Sequence, residues 1–511
     1  MSGGKKIFFN TVITYGKSLI TVFVSLFITR KVLEILGASD YGIYMLVAGV
    51  ASMLTFLNAA MSNATQRFIS VNLGKGDHSF VKKIFANSVL VHFLIGVLVV
   101  LLIEVFGMRF IEFKATIDPE RVTVAKNLLH FISITTFITI ISVPYDALIL
   151  AKENMLALAI FSIIETFATL IGVLILSYIP YDKLLSYGVL MMVVSLFIRL
   201  SKRMYSQKKY SESRVEIFKQ VDKRIVIELT SFASWSLFGV LCVIGRNQGV
   251  AVMLNIFFST VINAAYGIAN QINAQLMYFS QTLMNAMRPQ IMKNEGAGNR
   301  NAMIDLALKA NKYSFFLFTM FALPFYQQLP LILQLWLKDV PPHTVEFCKA
   351  ILLLTMMNQM NMGVMTAVQA IGKIKVYQTI AGGIQLLTLP VGYVLLKWGH
   401  PPHFVIWGSF VLETISTIFR AFYFSYLTAF PVFTYLRKVS VACLVPLLIA
   451  YAITYNIATL VEVQSVIGLM GYIAISFVVY FILVYILGLE SAERHILKSI
   501  PQRIKNKLQG K

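Results

Sequence analysis

Apolar runs of 17 to 29 residues, separated by short polar segments, recur along the whole 511-residue chain. A helix needs roughly 20 mostly apolar residues to cross a hydrocarbon layer about 30 Å thick. Read with that ruler, the pattern predicts fourteen membrane-spanning helices. They cover 10–36, 41–65, 84–106, 128–150, 156–179, 184–200, 229–253, 257–285, 313–336, 347–371, 376–398, 404–427, 439–461 and 466–488. The sixth run is short, and the seventh and eighth are interrupted by Asn and Gln. The opening MSGGKK has the look of a signal-peptide basic region. The run behind it is too long for a signal peptide, carries Lys17 and lacks a small-residue cleavage site, which predicts a helix.

Composition narrows the class. Apolar residues make up 58% of the chain and charged residues 13%, against about 45–50% and about 25% in soluble domains. Those values exclude a soluble enzyme, a disordered tail protein and a disulfide scaffold. With 44 Lys and Arg against 23 Asp and Glu the net charge is +21. Because mean hydropathy is +0.74, that charge belongs beside lipid and implies no nucleic-acid partner. With the N-terminus placed inside, 31 basic residues fall in inner segments and nine in outer ones. Short loops rich in Lys and Arg stay cytoplasmic, so both termini are expected there, which an even number of spans allows. The basic loop with Tyr205, Tyr210 and Phe218 suits anionic membrane lipids. Cys242, Cys348 and Cys443 lie in or beside apolar runs with no metal spacing, and read as small core residues.

A shift of 221 residues superposes local features in four regions. Arg67 meets Arg288, each followed by a Gly-x-Gly turn (Gly74–Gly76 and Gly296–Gly298, with one residue of slip). Lys152 meets Lys373, Pro180 meets Pro401, and Ser195, Arg199 and Tyr205 meet Ser416, Arg420 and Tyr426. Six spans separate equivalents, so the halves run in the same sense. The expected fold is an all-α polytopic membrane protein of two pseudo-repeated six-helix lobes plus a C-terminal helix pair. The lobes are 1–221 and 222–435, the pair 436–488, and a basic cytoplasmic tail 489–511. Parallel repeats of this kind enclose a central cavity and work by alternating access.

Several stretches resemble the bacterial polysaccharide flippases, the O-antigen (Wzx-type) branch of the multidrug/oligosaccharidyl-lipid/polysaccharide exporter superfamily. They are Phe27-Ile-Thr-Arg30 through Leu36-Gly37 to Tyr41-Gly42-Ile43-Tyr44, Asn63-Ala-Thr-Gln-Arg67 with Gly74, and Asn263-Ala-Ala-Tyr-Gly267-Ile-Ala-Asn270-Gln271 through Arg288-Pro289-Gln290. Ala370-Ile-Gly372-Lys373-Ile-Lys375 with Pro390 adds a fourth. The chain departs from the expected pattern at Tyr266, where the resemblance leads one to expect Arg. The resemblance implies a non-enzymatic transporter in a bacterial cytoplasmic membrane, moving a polyprenyl-pyrophosphate-linked oligosaccharide from inner to outer leaflet. It implies no cofactor beyond a coupling ion, H+ or Na+, with a glycan polymerase and glycosyltransferases as partners.

Such cargo needs cations for its pyrophosphate and amides or hydroxyls for its sugars. Lys17 sits a third of the way along the first span, where a lysine is costly unless it faces protein or water. Thr14, Ser18, Thr21, Ser25 and Thr29 form a polar stripe at three- and four-residue spacing around it. Cavity lining and helix packing with a snorkelling Lys17 both explain the stripe. Arg30 is about 20 Å further along and about 140° around the helix, nearer the outer interface. Arg246, in Gly245-Arg246-Asn247-Gln248-Gly249, marks a polar break that reads as a discontinuous helix or as an outer loop. The eighth span carries seven amides, with Asn263 and Asn270 the best cavity pair. Asn58, Asn63, Asn358, Gln359 and Asn361 are weaker candidates.

Acids within spans are few. Glu413 and Arg420, seven apart, read as a structural ion pair. Glu165 has no partner close in sequence, which makes it either an ion-coupling site or the partner of Lys17 or Arg246. Gly16-Lys17-Ser18 lacks the leading Gly of a phosphate loop, and no Asp-x-Asp occurs. Two alternatives stand beside the flippase: a cation-coupled multidrug exporter of the same superfamily, and a membrane-embedded enzyme of glycan assembly. Cations and amides outnumber acids within the spans, which favours anionic, sugar-bearing cargo.

Overall fold

In lipid every backbone N–H and C=O must be bonded within its own segment or barrel, so a chain this apolar folds as helices. The computed structural model describes residues 3–52, 55–113, 117–258, 260–337, 339–461 and 465–495. Among them there is no strand. The helices are α1 Gly3–Ser52, α2 Thr55–Gly74, α3 His78–Phe113, α4 Pro119–Ala151, α5 Met155–Leu176, α6 Lys183–Lys209, α7 Lys223–Phe257 and α8 Thr260–Gly296. They continue as α9 Arg300–Gln327, α10 Leu329–Trp336, α11 Thr344–Gln359, α12 Met362–Ile371, α13 Ile374–Lys397, α14 Phe404–Thr428, α15 Val432–Thr459 and α16 Val466–Gly488.

Among the described residues nine helices are long and apolar enough to cross a membrane, or eleven if two bent pairs count as spans. The bends are 82° between α9 and α10 and 41° between α11 and α12. Predicted span one falls on α1, span two on the end of α1 and the start of α2, and span eight on α8, helices that are not among those counted. Gly37, at φ 74° and ψ 170°, breaks α1 between the first two predicted spans; only glycine enters that region freely. Large apolar side chains such as Phe23, Phe106 and Ile467 are exposed. In water such a surface would aggregate; beside acyl chains it is solvated. The protein is a multi-pass membrane protein. The tail from 496 onward lies outside the described residues.

By its contacts the chain divides into two compact units. Unit 1 holds 1–240, 286–300 and 369–374; unit 2 holds 241–285, 301–368 and 375–511. The core of unit 1 packs Val32, Leu36 and Val47 of α1 against Val99 of α3, Leu128 and Leu129 of α4, and Val173 of α5.

Two turns in unit 1 are the same structure at an offset of 222 residues. Lys75 N–H bonds Val71 O (3.1 Å), and Ala297 N–H bonds Lys293 O (2.8 Å). Asp77 N–H bonds Asn72 O (3.2 Å), and Asn299 N–H bonds Asn294 O (2.9 Å). Gly76 and Gly298 take the left-handed conformation at φ 76° and 74°, as a glycine-terminated helix requires. The side chains of Asn72 and Asn294 each donate to the carbonyl four residues back, Phe68 O and Gln290 O.

Candidate functional site

In unit 1 the hydroxyl stripe of α1 is a ladder. Thr14 donates to Asn10 O (2.7 Å), Ser18 to Thr14 O (2.8 Å), Thr21 to Lys17 O (3.0 Å) and Thr29 to Ser25 O (3.0 Å). These four hydroxyls spend their protons on their own helix. Lys17 is half-buried, and among the described residues no carboxylate lies within ion-pair distance of it. Arg30 is exposed. Asn58 lies on α2, but its side chain is outside the described residues. Asn63 accepts a hydrogen bond from Arg288 at 3.1 Å.

Glu165 is not the isolated carboxylate that the sequence suggests, nor does it pair with Lys17 or Arg246. Its Oε1 lies 3.7 Å from Arg199 Nη2. Arg199 also reaches Asp146 (3.6 Å), which Lys202 approaches at 2.8 Å. The four groups come from α4, α5 and α6 and balance to zero. Arg199 and Lys202 stand one turn apart on α6, but nothing in the spacing ties them to residues 146 and 165, so the network left no signal in the sequence.

In unit 2 the polar break at 245–249 is neither a loop nor a discontinuity. Helix α7 runs unbroken from Lys223 to Phe257. The two glycines fall four apart on one face, where they admit the side chains of Leu386 and Leu389 from α13. Small residues at such spacing serve close helix packing in lipid, which is the physical reason for the pattern. Arg246 is half-buried on this helix, with Nε and Nη2 donating to Asn247 Oδ1 (3.2 and 3.1 Å). Glu413, Tyr266 and Arg420 are within electrostatic reach. No carboxylate among the described residues pairs with it.

Glu413 and Arg420 form a buried ion pair on α14. The Arg420 guanidinium also lies 6.0 Å from the Tyr377 ring centre, and Asn361 donates to Thr417 (2.9 Å) on the same helix. Buried polar atoms remain open around it: both amide atoms of Gln359, Asn361 Oδ1, Glu413 Oε2, Ser416 Oγ and Arg420 Nε have no hydrogen-bond partner among the described residues. Buried groups of this kind are ordinarily satisfied by water or ligand. Of the predicted amides, Asn270 donates to Tyr266 O (2.9 Å) and Asn358 to Leu354 O (3.1 Å). Asn263 Oδ1 is buried and open.

Sequence reasoning missed the links between the basic ends of helices. In unit 1, Arg67 donates to Gln369 O (3.0 Å) and Ala370 O (3.3 Å), lying against Phe68 and Phe232. Glu153 holds Lys293 and Gln290. Glu212 accepts from Lys152 (2.6 Å) and meets His78 (2.7 Å). In unit 2, Lys312 pairs with Glu493 at 2.7 Å, both almost fully buried. The three cysteines are free and buried.

The MatE family pattern matches residues 16–179. A crystal structure of MATE in the straight conformation aligns with TM-score 0.68 at 14% identity, covering 84% of this chain and 98% of that one. An outward-facing multidrug resistance MATE family transporter of the MOP superfamily aligns with TM-score 0.68 at 13% identity, covering 84% and 97%. A MOP superfamily transporter from Pyrococcus furiosus aligns with TM-score 0.64 at 13% identity, covering 82% and 96%. No curated protein sequence matches the chain. The chain therefore has the fold of these MATE structures.

Proposed function

We propose that the protein is a flippase of a bacterial cytoplasmic membrane that moves a polyprenyl-pyrophosphate-linked oligosaccharide from the inner to the outer leaflet by alternating access. The observation that carries this reading is the charge balance of the helices. The mid-helix acids Asp146, Glu165 and Glu413 are matched by Arg199, Lys202 and Arg420. Lys17 and Arg246, and toward the helix ends Arg67 and Arg288, are half-buried cations with no matching carboxylate among the described residues. A cation at membrane depth costs a few kcal/mol unless it meets protein, water or an anion, and a pyrophosphate is an anion that repeated transport would bring. The open oxygens of Asn263 and Asn361 can accept from sugar hydroxyls, and the open amide of Gln359 can both donate and accept.

The competing reading is a multidrug exporter, which the outward-facing multidrug MATE structure favours by fold. A carrier of organic cations would leave an acid unmatched, the reverse of the arrangement here. Pocket polarity is also the ground on which a different function was suggested for the Pyrococcus furiosus relative. Purified protein in liposomes separates the readings. We expect movement of a labelled polyprenyl-pyrophosphate glycan to the opposite leaflet, and no gradient-driven accumulation of a lipophilic cation. The opposite pattern overturns the proposal, and chemical alteration of the glycan would instead mark an enzyme of glycan assembly.

A further inference from the structure

Helix α6 carries one row of exposed apolar side chains: Val189, Val193, Phe197, Leu200 and Met204. The spacing of three or four residues places them on one face, which no described residue covers. The row ends at Met204 on the rim of a cavity of about 630 Å³, also lined by Gln207, Lys208, Arg214, Val215 and Glu216. The far wall is the segment that joins the two repeats, and it is firmly held. Asn87 fixes it at Gln220 O and the Asp222 amide (2.9 Å each), and Lys152 and His78 fix Glu212. Arg214 grips the end of α6 through Gln207 O (2.5 Å) and Lys208 O (2.8 Å).

The charges at this rim are unequal. Glu216 is taken by Lys219 at 2.6 Å. Lys208 and Arg214 are exposed, and neither has a carboxylate partner among the described residues. An apolar track leading into a cationic hollow is complementary to one kind of molecule, an acyl chain joined to an anionic headgroup. We propose that this cavity is a binding site for a resident glycerophospholipid with an anionic headgroup. Its chain lies along Phe197, Leu200 and Met204, and its phosphate lies at Lys208 and Arg214. The site ties the segment joining the repeats to the leaflet, and it stands independently of the transport reading.

The test uses the full chain in nanodiscs of phosphatidylcholine with phosphatidylglycerol, followed by native mass spectrometry of the lipid retained on release. Wild type should keep a phosphatidylglycerol. Lys208→Gln should lower retention about fivefold, the effect of one lysine at an anionic surface. Lys208→Arg should restore it, and Lys223→Gln, an exposed lysine outside the cavity, should leave it unchanged. Equal losses for Lys208→Gln and Lys223→Gln, or no loss for Lys208→Gln, overturn the site in favour of diffuse attraction. Displacement of phosphatidylglycerol by equimolar polyprenyl pyrophosphate would also overturn it, because the hollow would then belong to cargo. Lys208→Arg and Lys223→Gln keep the outcome readable if Lys208→Gln proves unstable.

Discussion

Gly74 and Gly296, 222 residues apart in the chain, each lie against a backbone carbonyl of the other's helix. A Cβ on Gly74 would strike Lys293 O, and a Cβ on Gly296 would strike Val71 O. Lys293 and Val71 are themselves 222 apart, so the two contacts exchange under the repeat. A self-complementary patch behaves this way across a two-fold axis, and here the two copies are α2 and the end of α8 within unit 1.

The first prediction concerns that crossing. Gly74→Ala and Gly296→Ala force backbones apart and should each destabilise by about 1–3 kcal/mol, the usual effect of overpacking. Gly267→Ala, where a Cβ meets nothing within 4 Å, should be neutral or slightly stabilising through helix propensity. Thermal midpoints of the purified proteins check this; equal midpoints for all three would remove the close crossing.

Buried charge on α14 gives the second. Glu413→Gln leaves Arg420 buried without its carboxylate and should cost about 3–5 kcal/mol. Glu165→Gln should cost under about 1 kcal/mol, because the pair is partly exposed and Arg199 keeps Asp146. Denaturation of the two variants side by side decides it, and a larger loss for Glu165→Gln would contradict the assignment.

Acid sensitivity gives the third. Burial pushes the Glu212 carboxyl up, but Lys152 and His78 outweigh it and hold it below the usual carboxylate range. Asp182, at the other end of α6, is also held down: the Leu185 amide and Arg121 outweigh its burial. A carboxyl lowered by folding contributes stability that is complete above its unfolded pKa and is lost as pH falls through its folded value. The melting midpoint should therefore drop on acidification below about pH 4–5. Glu212→Gln should melt lower at neutral pH and lose less in acid; an acid limb as steep as wild type would contradict this.

Much of the architecture was legible because hydrocarbon imposes one rule on every span. Among the described residues the predicted spans fall mostly on helix, nine to eleven of them long and apolar enough to cross, and the two Gly-x-Gly turns singled out in the sequence share one structure. Legibility failed where the deciding contact joins distant segments. Gly245 and Gly249 looked like a break, since nothing local shows that Leu386 and Leu389 fill the space beside them. Glu165 looked alone because Arg199 stands on another helix. The hydroxyl ladder beside Lys17 was legible as a stripe but not as a set of donors already spent on carbonyls. That Lys17 and Arg246, like Arg67 and Arg288, lack a carboxylate within ion-pair distance among the described residues emerges only from three-dimensional partners.

Equilibrium binding of a polyprenyl-pyrophosphate glycan to the detergent-purified protein tests the role of Lys17 and Arg246 most directly. Wild type should prefer it to the same glycan on a polyprenyl alcohol. Lys17→Gln and Arg246→Gln should each weaken binding about tenfold, with Lys17→Arg partly restored, as a lost charge-assisted contact requires. Unchanged affinity in both glutamine variants, or tighter binding of a lipophilic cation than of the pyrophosphate, would contradict the assignment of Lys17 and Arg246 to an anionic cargo.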